Sequence, residues 1–304
     1  MRDAFLDKIT QLAEKDKDVV LLTADLGFGV FENFESRFPG QYFNVGVAEQ
    51  NMTGLAAGLA LEGKKVITYS IGNFPTLRCL EQIRNDACYH DLNITIVASG
   101  GGFSYGSLGM SHHATEDIAI LRALPAMSVV APGTAWEAGE ATEALVNLDG
   151  VGYLRLDKTV ANGSSASSFS LGCSIRYKKG KDVTLLVTGG ILRDVIQAAE
   201  LLQEFGIDAG VVSMHSIKPI DKDAIIAASN ETGGIVTIEE HNIDGGLGSA
   251  VAEVCMDGGA VPKAFLRIGL GNQYSSIVGS QDYLRAYYQM DATAIAERVQ
   301  KLLA

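Results

Sequence analysis

Short apolar runs recur along this chain, separated by stretches with helical periodicity, and that alternation constrains the fold more than any other feature. Residues 19–23, 42–47, 66–69, 94–98, 128–131 and 152–156 read as buried strands. Between them lie helical patterns over 2–16 (with Phe5, Ile9, Leu12 and Ala13 on one face), 50–61, 76–89, 115–123 and 135–148. A polar, small-residue run at 159–170 interrupts the pattern, which then restarts with strands at 183–188, 209–213, 234–239 and 264–268. Helices at 192–205, 222–229 and 249–256 intervene, with more at the C-terminus. Strands alternating with helices predict mostly parallel sheets. The expected organisation is two α/β domains, 1–160 and a smaller 181–304, joined by a linker at 161–180, with no strong internal repeat.

A length of 304 residues suits two domains of ordinary size, and 20% charged residues fit a soluble globular protein. The net charge of −12 argues against nucleic acid or an anionic membrane as partner. Local basic pockets for anionic substrates stay compatible with it. No apolar stretch reaches membrane-spanning length, and the N-terminus carries acids where a secretory signal would be apolar. Cys79, Cys88, Cys173 and Cys255 lack metal-ligand spacing and read as reduced thiols of a cytoplasmic protein, most of them core fillers. No metal site is expected within the chain.

Chemistry-bearing residues collect at strand ends, where α/β proteins place their ligands. Asp25 follows the first strand. The run Gly46-Val47-Ala48-Glu49-Gln50-Asn51-Met52 sets a carboxylate at a strand-to-helix junction, ahead of a helix kept slim by Gly54, Ala56, Ala57, Gly58 and Ala60. By position alone Glu49 is an acid favoured by the helix dipole; its apolar approach adds desolvation and the option of a hydrogen-bonding role. Slim helices in turn suggest close packing against another backbone. The long glycine-rich stretch from Ser99 to His113 reads as a functional loop, with His112 or His113 either exposed beside a capped helix or serving as acid, base or hydroxyl ligand. Glu239-Glu240-His241 reads as a solvated strand end or an interface. The glycines at 245–248 are weak grounds for phosphate binding.

Taken together, Thr23-Ala24-Asp25-Leu26, the Glu49 segment, Glu81-Gln82-Ile83-Arg84, Ser111-His112 and Val236 to His241 before Gly245-Gly246-Leu247-Gly248 resemble the C-terminal portion of transketolases, along nearly the whole chain. The resemblance implies a thiamine-type pyrimidine-binding domain followed by a transketolase C-terminal-like domain. It implies the C-terminal subunit of a split transketolase, transferring a two-carbon ketol unit from ketose to aldose with thiamine diphosphate. That family holds the diphosphate through Mg²⁺ with a Gly-Asp-Gly motif that this sequence lacks. An N-terminal partner subunit is therefore implied to carry the motif and the metal, with two copies of each chain in a heterotetramer.

By the same resemblance Glu49 hydrogen-bonds N1′ of the aminopyrimidine, so that the 4′-nitrogen can take the thiazolium C2 proton. Phe74 stacks on the pyrimidine, Asp25 belongs to the cofactor-binding set, and His112 contacts substrate oxygens. Arg155 and Lys158 stand near the family's phosphate-binding arginine. Three departures leave the sugar or sugar-phosphate substrates open: Leu108 replaces the acid that reads a donor hydroxyl, Gly100 replaces a phosphate-contacting histidine, and Lys158 replaces the arginine itself, giving up bidentate recognition. The alternatives are a decarboxylating relative, either deoxyxylulose phosphate synthase-like or 2-oxo acid dehydrogenase β-like, and a non-catalytic regulatory subunit.

Overall fold

The computed structural model describes residues 1–162 and 168–304; residues 163–167, within the expected linker, lie outside it. The first sheet has seven strands. In chain order they are β1 (Val19–Thr23), β2 (Tyr42–Asn44), β3 (Lys65–Ile71), β4 (Ile94–Ser99), β5 (Met127–Val130), β6 (Val151–Leu156) and, from far downstream, β10 (Ser216–Lys218). Their spatial order is β10-β5-β6-β4-β3-β1-β2. All pairings are parallel except β10 with β5.

The central strands are apolar along their length because both faces are covered. On one face α1 (Arg2–Lys15), α2 (Glu32–Arg37) and α6 (Ala135–Val146) bury Phe5, Phe34 and Leu145 against Leu21, Ile67 and Leu154. On the other, α3 (Glu49–Leu61), a helical run over 77–88 that includes α4 (Leu80–Gln82), and α5 (Asp117–Arg122) bury Met52, Ile83 and Ile118 against Leu22, Val66 and Ile96.

The second sheet has the order β12-β11-β8-β9-β7. It is built from β7 (Ile175–Lys178), β8 (Val183–Thr188), β9 (Ala209–Ser213), β11 (Ile235–Asn242) and β12 (Phe265–Leu270), with β7 antiparallel at its edge. Helices α7 (Leu192–Glu204) and α11 (Ala292–Leu303) cover one face; α8 (Lys222–Glu231) and α9 (Leu247–Asp257) cover the other. A short α10 (Gln281–Tyr287) precedes α11.

The expected two α/β units with mostly parallel sheets are present. Differences sit where sequence period is weak. Part of the expected linker, Ile175–Lys178, is an edge strand, and β10 was not anticipated because three residues carry no period. The strand expected over 42–47 stops at Asn44, where Gly46 takes a left-handed φ of 76° to turn into α3. The helix expected over 76–89 is a 3₁₀ turn, a short α segment and a π stretch in succession.

Buried charge joins the two units. Glu240 in β11 accepts from the Phe103 N–H at 2.5 Å and from Gln281 Nε2 at 2.8 Å, and pairs with Arg285 of α10. Arg285 also reaches Asp194 at 2.7 Å. Arg155 in β6 donates to Asp117 at 2.9 Å and to the Glu240 carbonyl at 2.9 Å. Gly102 sits so close to Glu240 that a side chain there would collide with the carboxyl, and its φ of 55° favours glycine as well. Glu239-Glu240-His241 is therefore a buried interface and not a solvated strand end.

Glu239 accepts from the Leu247 and Gly248 N–H groups, at 2.7 and 2.8 Å, at the start of α9. Burial outweighs those bonds and pushes its carboxyl up to about 7 from an ordinary value of 4.5. Folding thus favours the protonated form. This group's stabilisation is complete below the unfolded value and is lost as pH rises through about 7. Between about pH 5 and pH 8 the unfolding free energy of the wild type is expected to fall by about 2–3 kcal/mol more than that of Glu239→Gln. Urea unfolding at fixed protein concentration measures the difference; parallel pH profiles would refute the assignment.

Candidate active site

Five neighbouring strands of the first sheet, β2, β1, β3, β4 and β6, send their carboxyl ends to one edge. The loops leaving that edge carry nearly all the residues singled out from sequence. Glu49 is the first residue of α3 and is 4% exposed. No side chain caps this helix, and at its first position the dipole favours negative charge. Its Oε2 accepts from Arg78 Nη1 at 2.8 Å.

Arg78 connects Glu49 to the next residues. Its guanidinium lies over the half-buried Phe74 ring, 4.5 Å from the centroid. Phe74 in turn meets the edge of His112 at 5.2 Å. Asn73 beside it donates to the His113 carbonyl at 2.5 Å and ties the β3 loop to the glycine-rich loop. His112 lies 6.5 Å from Tyr105, over whose ring Lys158 places its ammonium at 3.7 Å. Glu49, Arg78, Phe74, His112, Tyr105 and Lys158 thus form one continuous row.

The two histidines divide. His112 is half-exposed, with Nδ1 at 3.0 Å from Ser111 Oγ. His113 is buried, faces the Gly106 carbonyl at 3.3 Å, and has its pKa lowered by desolvation. Neither Ser111 nor Thr115 caps α5, which begins after Glu116 without a side-chain cap.

Asp25 does not join the row. It sits two residues past β1 with a φ of 55°, and its N–H donates to Asn44 Oδ1 at 2.9 Å. The same Asn44 oxygen accepts from the Gly46 N–H at 3.0 Å. Asp25 therefore shapes, through Asn44, the turn that delivers Glu49. Arg155 corrects the expectation of a substrate-facing arginine: it is 1% exposed, locked to Asp117, and bonded to the carbonyls of Ala114 and Glu240. A cation this deeply buried, held by a carboxylate and two carbonyls, is committed to the interior and not to a phosphate in the cleft.

Lys158 remains exposed, bordering a cavity of about 320 Å³ lined also by Arg2, Asp3, Ser99, Tyr105 and Asp157. Gly100 takes a φ of 95°, and a side chain there would run into the Tyr105 ring. Tyr105 thus fills the space beside the position where the resembled family has a histidine. Arg78 and Tyr105 were missed from sequence. The i, i+4 spacing of Phe74 and Arg78 is the one available signal, and it is common in helices.

The geometry fits one side of a flat, nitrogen-rich heterocycle: a nearly buried carboxylate at a helix start, with an aromatic face beside it. Among the described residues no group of three or more His, Cys, Asp or Glu side chains gathers as metal ligands would.

The family profile described as transketolase, pyrimidine binding domain, matches residues 1–162, and that described as transketolase, C-terminal domain, matches residues 173–295. The chain belongs to the transketolase family and corresponds to its C-terminal portion. Its relatives include transketolase subunits and, at 32–33% identity over 98–99% of this chain but only 47–48% of their own length, 1-deoxy-D-xylulose-5-phosphate synthases. It is 35% identical to an apulose-4-phosphate transketolase subunit of Phocaeicola vulgatus, over 97% of this chain and 95% of that one. It is 36% identical to a 6-deoxy-6-sulfo-D-fructose transketolase subunit of Clostridium sp., over 97% of this chain and 92% of that one. Among solved structures, a split gene transketolase described as an inactive β₄ tetramer superposes with a TM-score of 0.89 at 34% identity, covering 99% of this chain and 97% of that one.

Replacing Arg155 by Leu leaves Asp117 buried without its cation. The expected loss is about 3–5 kcal/mol of unfolding free energy in urea denaturation, with part recovered in Arg155→Leu/Asp117→Asn. A loss below about 1 kcal/mol, the size typical of a surface pair, would show that Arg155 is not locked in the interior.

Proposed function

We propose that this chain is the pyrimidine-binding half of a thiamine diphosphate-dependent enzyme that moves a two-carbon ketol unit from a ketose to an aldose. The observation that carries the reading is Glu49: a nearly buried carboxylate at the start of α3, in one row with a half-buried Phe74 and His112. Bound thiamine diphosphate supplies the nucleophilic carbon that attacks and releases carbonyl compounds. Glu49 holds a proton against N1′ of its aminopyrimidine, and Phe74 gives the ring a face to stack on. His112 stands beside Phe74, placed to hydrogen-bond substrate oxygens and to stabilise charge that develops on them. Asp25 supports the cofactor indirectly by holding Asn44 and the Gly46 turn.

We assign the diphosphate and Mg²⁺ to an N-terminal partner subunit, which this chain meets through an uncovered face. Val47, ahead of α3, is 74% exposed, and Leu55 and Leu61 within α3 are exposed too. An added Cβ at Gly54 or Gly58 would meet nothing within 4 Å, so a second backbone has room to approach α3 closely. Two copies of each chain, in a cytoplasmic heterotetramer, satisfy this face and the family's shared-site geometry. No helix among the described residues is long and apolar enough to cross a membrane, and the cysteines are free thiols. For substrates, Lys158 is the cation of the expected pair left facing open space, in a cavity that Arg2 also lines, so a phosphate, where present, meets Lys158 and not Arg155. Sugars and sugar phosphates both fit that arrangement.

Glu49→Gln in the assembled enzyme is expected to lower turnover by about 10²–10⁴-fold, the range of a lost proton-transfer group, while the assembly keeps its size in sedimentation. Near-normal turnover would refute the role. Reconstitution with ketose donors is expected to yield the shortened aldose; carbon dioxide release from pyruvate in place of ketol transfer would replace this reading with the decarboxylating one. The isolated chain is expected to bind thiamine diphosphate poorly by calorimetry, and tight Mg²⁺-dependent binding without a partner would overturn the shared site.

A further inference from the structure

The place that the proposed function gives to the aminopyrimidine is already taken by a side chain of this protein. An aminopyrimidine on Glu49 and Phe74 must be flat, stack on the ring of Phe74, and hydrogen-bond to the Glu49 carboxylate. The Arg78 guanidinium does each of these things: it is planar, lies 4.5 Å from the Phe74 ring centroid, and donates from Nη1 to Glu49 Oε2 at 2.8 Å. Two flat groups cannot stack on the same part of one ring while bonding to the same carboxylate oxygen.

We propose that Arg78 is an internal occupant of the pyrimidine seat, which the cofactor displaces on binding. The inference rests on the assignment of Glu49 and Phe74 to the pyrimidine. Arg78 is built to leave: its side chain is 46% exposed, and it lies in a 3₁₀ turn, Leu77–Cys79, at the open edge of the sheet. Glu49 by contrast is fixed in α3 and nearly buried. The pair is thus a mobile cation on an immobile anion, and displacement moves the cation into water, where an exposed guanidinium is well solvated.

Two consequences follow for the chain when it stands alone. The Glu49 carboxylate keeps a counter-charge in a place where a nearly buried, unpaired anion would be costly. The Phe74 face is also covered by its own chain and not left bare toward other apolar surfaces. Cofactor binding must then repay the contacts that Arg78 gives up. An exposed cation–π contact and a partly exposed ion pair are both weak, so the occupant is expected to weaken cofactor affinity by about tenfold.

The test is calorimetric titration of thiamine diphosphate, at saturating Mg²⁺, into the complex of this chain with its N-terminal partner. Arg78→Ala is expected to bind about tenfold more tightly than wild type, equivalent to about 1.4 kcal/mol, and Arg78→Lys, which keeps the charge but loses the flat face, should fall between. Unchanged affinity in Arg78→Ala overturns the proposal, and weaker affinity overturns it in favour of a direct contact from Arg78 to the bound cofactor. Phe74→Ala and Glu49→Gln, titrated alongside, separate the two layers of argument. If both weaken binding while Arg78→Ala fails to tighten it, the pyrimidine site stands and the occupant falls. If neither affects binding, the site assignment itself is wrong. Thermal melts of each variant confirm that the comparison is between folded proteins.

Discussion

Everything at the open edge of the first sheet depends on a set of charges almost entirely shut off from solvent. Asp117, Arg155, Glu240, Arg285 and Asp194 run from the strands of one domain into the helices of the other, each partnered within the interior. Removing the partner of a buried charge is costly, so the network favours the placement of the two units that keeps these pairs together. That placement fixes the glycine-rich loop, because Glu240 grips the Phe103 N–H and crowds Gly102. Through that loop it fixes His112 against Phe74. The second domain, which contributes no residue to the row from Glu49 to Lys158, nonetheless sets the row's geometry.

The site also shows how one strand end can be specified by another. Glu49 reaches its position through a turn at Gly46 whose N–H is held by Asn44, and Asn44 is held by the Asp25 loop. Three residues at the ends of two strands cooperate to aim one carboxylate. Neither Asn44 nor Asp25 needs to touch a reacting atom for its loss to be felt there, since a small misplacement of a proton-handling group is costly to catalysis.

Much of this was legible in the sequence, for physical reasons that also explain what was not. Runs such as Val183–Thr188 announce themselves because a strand covered on both faces must be apolar throughout, and that strand has the bounds read from sequence. Glu49 was visible because an acid at a strand-to-helix junction is a local feature. Arg155 was misread because its nearness in sequence to Lys158 says nothing about which face of the sheet edge each side chain takes, and the partner that draws it inward, Asp117, is 38 positions away. Arg78 was passed over for a related reason: its meaning lies in Glu49, 29 positions earlier in the chain. β10 gave no signal at all, since its pairing partner β5 and not its own composition makes it a strand.

That last strand bears on how the protein is made. β6, which docks between β5 and β4, ends at Leu156 and the strand that completes the sheet begins at Ser216, so a growing chain carries the first sheet with an unfinished border at β5 while the intervening 59 residues (157 to 215) are synthesised. An open border of backbone N–H and C=O groups is a template for pairing with other chains. The nascent first domain is consequently most vulnerable to misassociation during that interval, and its protection arrives with a segment of the second domain. The two halves are distinct in architecture, yet the ribosome cannot finish one before it has begun the other.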